Sequence, residues 1–236
     1  MPDERAVAKD AAARRAVEQV RTGMHVALGT GSTAGFAVRA IAEQFPGSAV
    51  DCVASSRGTE DLARSLGLVV RALRADDQFD LMIDGADEVT PALDLTKGGG
   101  GALLREKLLA GLSRERLIVV DPPKLVGHLG EKSPIPVEVV PFARPVIVHR
   151  FERDGYRVRL RLGPDGRPFR TDNGNELLDL DPSRPIEDTA ATERALAAPT
   201  GVVETGIFVG LVSVLLVGHP DGSVEERRPP PRSTPS

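Results

Sequence analysis

The sequence predicts an α/β protein, a mainly parallel sheet covered by helices with a smaller α+β unit inserted into it. Two observations carry this. Short apolar runs alternate with helix-period stretches through the first half of the chain, and near Glu131 that rhythm gives way to amphipathic strands paired with short helices. The 236 residues suffice for one large domain or for a main domain carrying a smaller one. With 41% hydrophobic residues, 3% aromatic and no Trp, the core must be built from Leu, Val, Ile and Ala, and stacking platforms for bases are not expected.

From Arg5 to Val20, the residues Ala6, Ala13, Ala16, Val17 and Val20 recur at three- and four-residue spacing, the period of a helix with one buried face. Lys9 falls on the same face, as a stem snorkelling at the core edge or as an anion ligand. His25 to Leu28, Ala49 to Ala54, Leu68 to Leu73, Phe79 to Ile83 and Leu117 to Val120 read as strands; Ala34 to Phe45 and Ala102 to Leu112 read as helices. Runs apolar on both faces suit a Rossmann-like parallel sheet, whose ligands bind beyond the carboxyl ends of the strands.

Further on, Val137 to Val140 reads as a strand, and Arg144 to Arg153 as a helix with Pro145 in its first turn and Gly155 just past its end. Tyr156, Val158, Leu160 and Leu162 alternate with Arg157, Arg159 and Arg161, a strand with one dry and one wet face. A turn at Gly163 to Gly166 leads to an extended region ending at Glu176 to Leu180, then a helix around Ile186 to Ala197 and a strand from Val202. The order β-α-β-β-α-β is that of a ferredoxin-like unit, and Val214 to Val217 is a strand able to rejoin the first sheet. The expected domains are therefore a Rossmann-like one at 1–130 and 207–224, a ferredoxin-like one at 131–206, and an unpacked charged and Pro-rich tail at 225–236.

Thirty basic against 34 acidic residues give a net charge of −4, which offers no global field for nucleic acid or anionic membranes, so an anionic ligand must be held locally. Met1 to Val20 has no apolar core of a signal peptide, and no run reaches the roughly 18 apolar residues of a membrane span; a cytoplasmic protein is expected. The single cysteine, Cys52, reads as a small buried apolar residue.

Three segments can carry chemistry. Gly29-Thr30-Gly31-Ser32-Thr33 follows a strand and opens a helix, where main-chain N–H groups and the helix dipole favour phosphate; the same residues also read as a Ser/Thr-capped turn without ligand. Asp84-Gly85-Ala86-Asp87-Glu88 follows the strand Phe79 to Ile83, and three carboxylates in five residues are costly unless solvated or met by cations, a metal or polar ligand groups. It is a weak Mg²⁺ signal with no histidine nearby, and it also reads as a solvated acidic turn. Lys97-Gly98-Gly99-Gly100-Gly101 precedes a helix carrying Glu106; four ordered glycines need a compensating reason such as close approach to a ligand, while Glu106 alone also fits an ordinary helix N-terminus. Read as loops of one parallel sheet, these segments are expected to converge on one crevice, with Lys124 at the same edge.

In order and spacing these motifs resemble the signature of the A-type ribose-5-phosphate isomerases. The resemblance continues through Asp121 to Lys124, Pro134 to Val139, Thr171 to Asn175 and Gly218 to Gly222. It implies that Lys9, Thr30, Gly31, Ser32, Thr33 and Lys124 hold a sugar phosphate. It also implies that Asp84, Gly85, Ala86, Asp87, Lys97, Gly98, Gly99 and Gly100 line its reacting end, with Glu106 as general base. No metal or organic cofactor and a homodimer or homotetramer are implied as well. Ser213 and the arginine-rich strand Arg157 to Arg161 depart from the family pattern, and neither is expected to touch the site. An aminosugar-phosphate deaminase, a transferase with a carboxylate nucleophile and a non-catalytic sugar-phosphate sensor are the rival readings.

Overall fold

A computed structural model describes residues 3–47 and 49–229. Along the chain the elements are α1 (Glu4–Val17), β1 (His25–Leu28), α2 (Ser32–Gln44), β2 (Asp51–Ala54), α3 (Arg57–Ser65) and β3 (Phe79–Asp84). There follow β4 (Glu88–Val89), β5 (Leu95–Thr96), α4 (Leu103–Gly111), β6 (Ser113–Val120), β7 (Ile135–Val139), α5 (Arg144–Arg153) and β8 (Tyr156–Leu160). The last are β9 (Glu176–Pro182), α6 (Thr189–Ala197), β10 (Val202–Thr205), β11 (Ile207–Phe208), β12 (Val214–Gly218) and β13 (Val224–Arg227). Two compact units result: residues up to Gly85 with Leu109–Pro123 and the chain from Leu211, and Ala86–Leu108 with Lys124–Gly210.

The first unit is built on the six-stranded sheet β13-β12-β6-β3-β1-β2. Its five inner-to-edge strands β12, β6, β3, β1 and β2 pair in parallel, and β13 is antiparallel to β12. In chain order the parallel strands run 2-1-3-4-5, a doubly wound arrangement whose order reverses between β1 and β3. That reversal point sets where the first candidate residues sit. The strands are apolar on both faces: every residue of β12 is buried, as are Leu81, Met82 and Ile83 of β3. Asp3 caps α1 by accepting the Arg5 N–H, and Ala8, Ala12, Ala13, Ala16 and Val17 form its buried face. The face is turned slightly from expectation, with Ala6 half-buried.

Leu68 to Leu73 does not form a strand. Only Val70 bridges to Cys52 of β2; Leu68 and Val70 are buried in the core while Val69 and Leu73 are exposed, so this run lies along the sheet edge with one face covered rather than between layers. Helix α3 buries Thr59 and Ala63, and its Ser56 cap accepts the Thr59 N–H. Residues 225–227, expected to open an unpacked tail, are paired instead. Residues Val224–Arg227 extend the sheet, because a strand ladder is a main-chain interaction that needs no apolar side chains; residues 230–236 lie outside the described residues. Cys52 is fully buried, and burial pushes its thiol up to about 12, with the charge of Asp51 adding to the effect.

In the second unit β7-α5-β8-β9-α6-β10 gives the antiparallel sheet β10-β7-β9-β8, the ferredoxin-like order. Ile147 and Phe151 of α5 and Leu196 of α6 pack on Val137, Val139, Leu178 and Leu180 of the sheet. Asp188 accepts the Ala191 N–H and starts α6 at Thr189 rather than at Ile186. Three short strands in the order β11-β5-β4 form a further antiparallel sheet. Among the described residues no helix is long and apolar enough to cross a membrane.

Gly218 at the end of β12 shows how tightly α1 is seated: a Cβ there would overlap the carbonyl oxygen of Ala8. Because the obstacle is helix backbone, Gly218→Ala is expected to cost about 2 kcal/mol of stability or more, measured by urea unfolding.

Candidate active site

The first unit carries the phosphate-suited residues at the β1/β3 reversal point. Gly31 is the N-cap of α2 with φ 109°, a conformation open to glycine, and no side chain caps the helix. The hydroxyls of Ser32 and Thr33 are thus not spent on capping, contrary to the capped-turn reading. Lys9 extends from α1 and donates from Nζ to Ser32 Oγ at 3.0 Å, bringing a cation to the N-terminus of α2. The side chain of Thr30 faces a cluster of hydroxyls: its Oγ1 lies 2.7 Å from Ser55 Oγ and donates to Ser56 Oγ at 2.9 Å. Thr59 Oγ1 donates to the Gly29 carbonyl at 3.0 Å. Ser55, Ser56 and Thr59 escaped the sequence reading; the signal was a Ser-Ser pair at a strand end followed three residues on by Thr.

Asp84 ends β3 and is fully buried, with Oδ1 accepting the N–H groups of Thr30 at 3.1 Å and Gly85 at 2.7 Å. Gly29 is glycine for this reason, since a Cβ there would occupy the volume of the Asp84 carboxylate. Gly85 is buried, and a Cβ there would reach Thr33 Cβ and the Val119 carbonyl only at ordinary contact distance. At the end of β6, buried Asp121 accepts from Arg5 Nε at 3.1 Å, a tie between β6 and α1.

The second unit carries the remaining candidates. Ala86 and Asp87 are half-buried, and Asp87 Oδ2 accepts the Gly99 N–H at 2.7 Å. Glu88 parts company with its neighbours. It is fully buried and accepts the N–H groups of Gly130, Lys132 and Ser133 at 2.6 to 2.8 Å, so it anchors the 130–133 turn. With Asp84 and Glu88 buried, the acidic cluster is not a solvated turn.

Lys97 follows β5, so the glycine loop belongs to the small antiparallel sheet and not, as expected, to the parallel one. The Lys97 N–H is fixed by the Gly206 carbonyl at 2.8 Å. Its ammonium is 3.3 Å from Glu106 Oε1, in the first turn of α4, and 5.7 Å from the centre of the Phe208 ring. Both side chains of this ion pair are only 4% exposed. Gly98 has φ 105° with Leu103 pressed against it, Gly99 and Gly100 are exposed, and Gly101 packs on Phe169. Lys124 closes a half-buried 3₁₀ turn over Pro122–Lys124.

Motifs beyond the candidate residues form a network beside them. Thr171, Asn173 and Asn175 all donate to Oε1 of buried Glu138, and Asn173 in turn accepts from Arg105, the residue before Glu106. Ser213 accepts the Arg116 N–H and stays clear of the candidate residues. Arg161 does not stay clear. It donates to the carbonyls of Gly98 and Gly99 at 2.8 and 3.1 Å, against the expectation that the arginine-rich strand is remote; a period-2 pattern gives a face, not the reach of an arginine beyond the strand end.

Residues 51–222 match the family model of ribose 5-phosphate isomerase A (phosphoriboisomerase A). The chain is 48% identical to the ribose-5-phosphate isomerase A of Chloroflexus aurantiacus, over 91% of this chain and 90% of that one. Its fold is similar to the ribose 5-phosphate isomerase A structure from Methanocaldococcus jannaschii, with TM-score 0.86, 35% identity and coverage of 96% and 100%. A D-ribose-5-phosphate isomerase solved in complex with phospho-erythronic acid gives TM-score 0.88 and 32% identity over 93% and 97% of the two chains. Fold and comparisons together define an isomerase by class. More particularly, the chain belongs to the ribose 5-phosphate isomerase A family.

Two predictions follow from the packing of the carboxylates. Gly29→Ala displaces Asp84 and is expected to lower kcat/KM on the order of 10²-fold, read from steady-state kinetics. Glu88→Gln turns an amide NH₂ or a weaker acceptor toward three N–H donors and is expected to cost about 2 kcal/mol in a denaturant titration, since bonds to a charged acceptor are worth about 1.5 to 3 kcal/mol.

Proposed function

We propose that the chain interconverts D-ribose 5-phosphate and D-ribulose 5-phosphate through an enediolate, with Glu106 as the base. The observation that carries the reading is the buried Lys97–Glu106 pair beside a loop of glycines, 3.3 Å between Nζ and Oε1. Moving a proton between C2 and C1 requires one base that takes it from carbon and returns it to the neighbouring carbon. A carboxylate sheltered from water does this well, because it sheds little hydration before meeting a carbon acid. Negative charge developing on the enediolate oxygen is met by the Lys97 ammonium. The Gly99 N–H is committed to Asp87 and the Gly101 N–H to the Gly98 carbonyl, which leaves the amides of Gly98 and Gly100 as loop donors.

Lys9, Thr30, Gly31, Ser32 and Thr33 hold the phosphate in this reading, supported by the cation and the open helix N-terminus of the first unit. Lys124 adds a second cation on the strength of the family resemblance alone. Asp84 and Asp87, with Gly85 and Ala86 between them, bind sugar hydroxyls, one aspartate assisting ring opening by proton transfer. The phospho-erythronic acid complex of a relative supports a phosphorylated open-chain sugar as ligand. Family membership also supports a place in the non-oxidative pentose phosphate pathway, a homodimer or homotetramer, and work in the cytoplasm.

The test is conversion of ribose 5-phosphate by purified protein in excess chelator, beside Glu106→Gln. The parent is expected to turn over, and the variant to keep its affinity for phospho-erythronic acid while losing about 10²- to 10⁴-fold in kcat. Binding without turnover by the parent would point to a sensor, and an active Gln variant would remove Glu106 as the base.

A further inference from the structure

We infer that Arg161 is a positioning residue for the reaction, acting through the peptide group between Gly98 and Gly99. The inference rests on the proposed roles of Asp87 and the glycine loop. Arg161 lies just past β8 with its side chain 17% exposed, and Asp179 of β9 holds it from one side through Nε at 3.0 Å and through Nη2. The carboxylate neutralises the guanidinium and fixes its plane. The remaining Nη1 donates to the carbonyl oxygens of Gly98, at 2.8 Å, and Gly99, at 3.1 Å.

The C=O of Gly98 and the N–H of Gly99 belong to one planar peptide group and point in opposite directions. Its oxygen accepts from Arg161 and from the Gly101 N–H, and its N–H donates to Asp87 Oδ2, so a single rigid unit spans the arginine and the aspartate. A cation on the oxygen also polarises the group and strengthens its N–H as a donor. The next peptide is held the same way: with the Gly99 oxygen turned to Arg161, the Gly100 N–H is turned away from it. Arg161 thereby turns two successive amides to the side opposite itself, the first of them fixing the carboxylate of Asp87. Glycines have no side chains to hold such an arrangement, and Gly98 at φ 105° and Gly99, whose Cβ would fall 2.7 Å from Asp87 Oδ1, admit none. The geometry makes the arginine the external brace that a chain of glycines requires for a preorganised donor set.

The test compares Arg161→Lys and Asp179→Asn with the parent. Lysine keeps the charge but cannot grip Asp179 and two carbonyls together. Arg161→Lys is expected to lower kcat about 10- to 100-fold with KM for ribose 5-phosphate within about threefold, and Asp179→Asn to do the same less strongly. Inhibition by phospho-erythronic acid should weaken alongside kcat while inhibition by inorganic phosphate is unchanged, a split that general loosening of the unit would not produce. Added guanidinium at millimolar concentration should restore part of the activity of Arg161→Ala. Turnover within about threefold of the parent in folded Arg161→Lys and Asp179→Asn, or equal loss toward both inhibitors, overturns the inference. A parent without isomerase activity instead removes the reaction itself, so the parent's turnover judges the proposed function and the variant-to-parent ratio judges Arg161.

Discussion

Three carboxylates within five residues are buried or half-buried here because main-chain amides come to meet them. Asp84 takes the N–H groups of Thr30 and Gly85, Asp87 that of Gly99, and Glu88 those of Gly130, Lys132 and Ser133. A carboxylate moved from water without such donors is costly enough to forbid the arrangement. Much of the local architecture follows from that demand. Gly29 and Gly99 lack side chains because a carboxylate fills the space, and the loop after β5 and the turn at 130–133 are shaped by acceptors in the 84–88 segment.

The two units differ in the chemistry of their candidate residues. The first offers hydroxyls, an open helix N-terminus and Lys9 at the reversal of a parallel sheet, where strand topology leaves main-chain donors at the sheet's carboxyl edge. The second offers a dry ion pair on short antiparallel strands and a helix start, braced by the Glu138–Asn173–Arg105 network. Binding of a compact dianion needs exposed donors, whereas proton transfer from carbon needs shelter from water. Each unit's local structure suits one of these requirements.

The sequence made the strands of the parallel sheet legible because runs such as Val214 to Val217 are apolar throughout, which only a strand covered on both faces tolerates. The ferredoxin-like order was legible from alternation in Tyr156 to Leu160 and from the Pro145 and Gly155 brackets of α5. What stayed hidden depends on partners distant in the chain. Leu68 to Leu73 has a strand's composition but runs along the sheet edge with a single bridge and one exposed face, and Arg161 reads as a solvent-facing strand residue until the glycine carbonyls beneath its tip are known. Glu88 looked like its acidic neighbours because composition does not disclose which carboxylate will be met by three amides.

The last strand of the large sheet has a bearing on how the protein behaves in crowded solution. An exposed strand edge is a template for another chain, and a parallel sheet ending on apolar β12 would offer an adhesive one. β13 covers it with Val224, Glu225, Glu226 and Arg227, three of them charged. Any chain adding a strand there must desolvate those charges or pair with them in register. The charges of β13 thus work against edge-to-edge pairing on that side of the sheet.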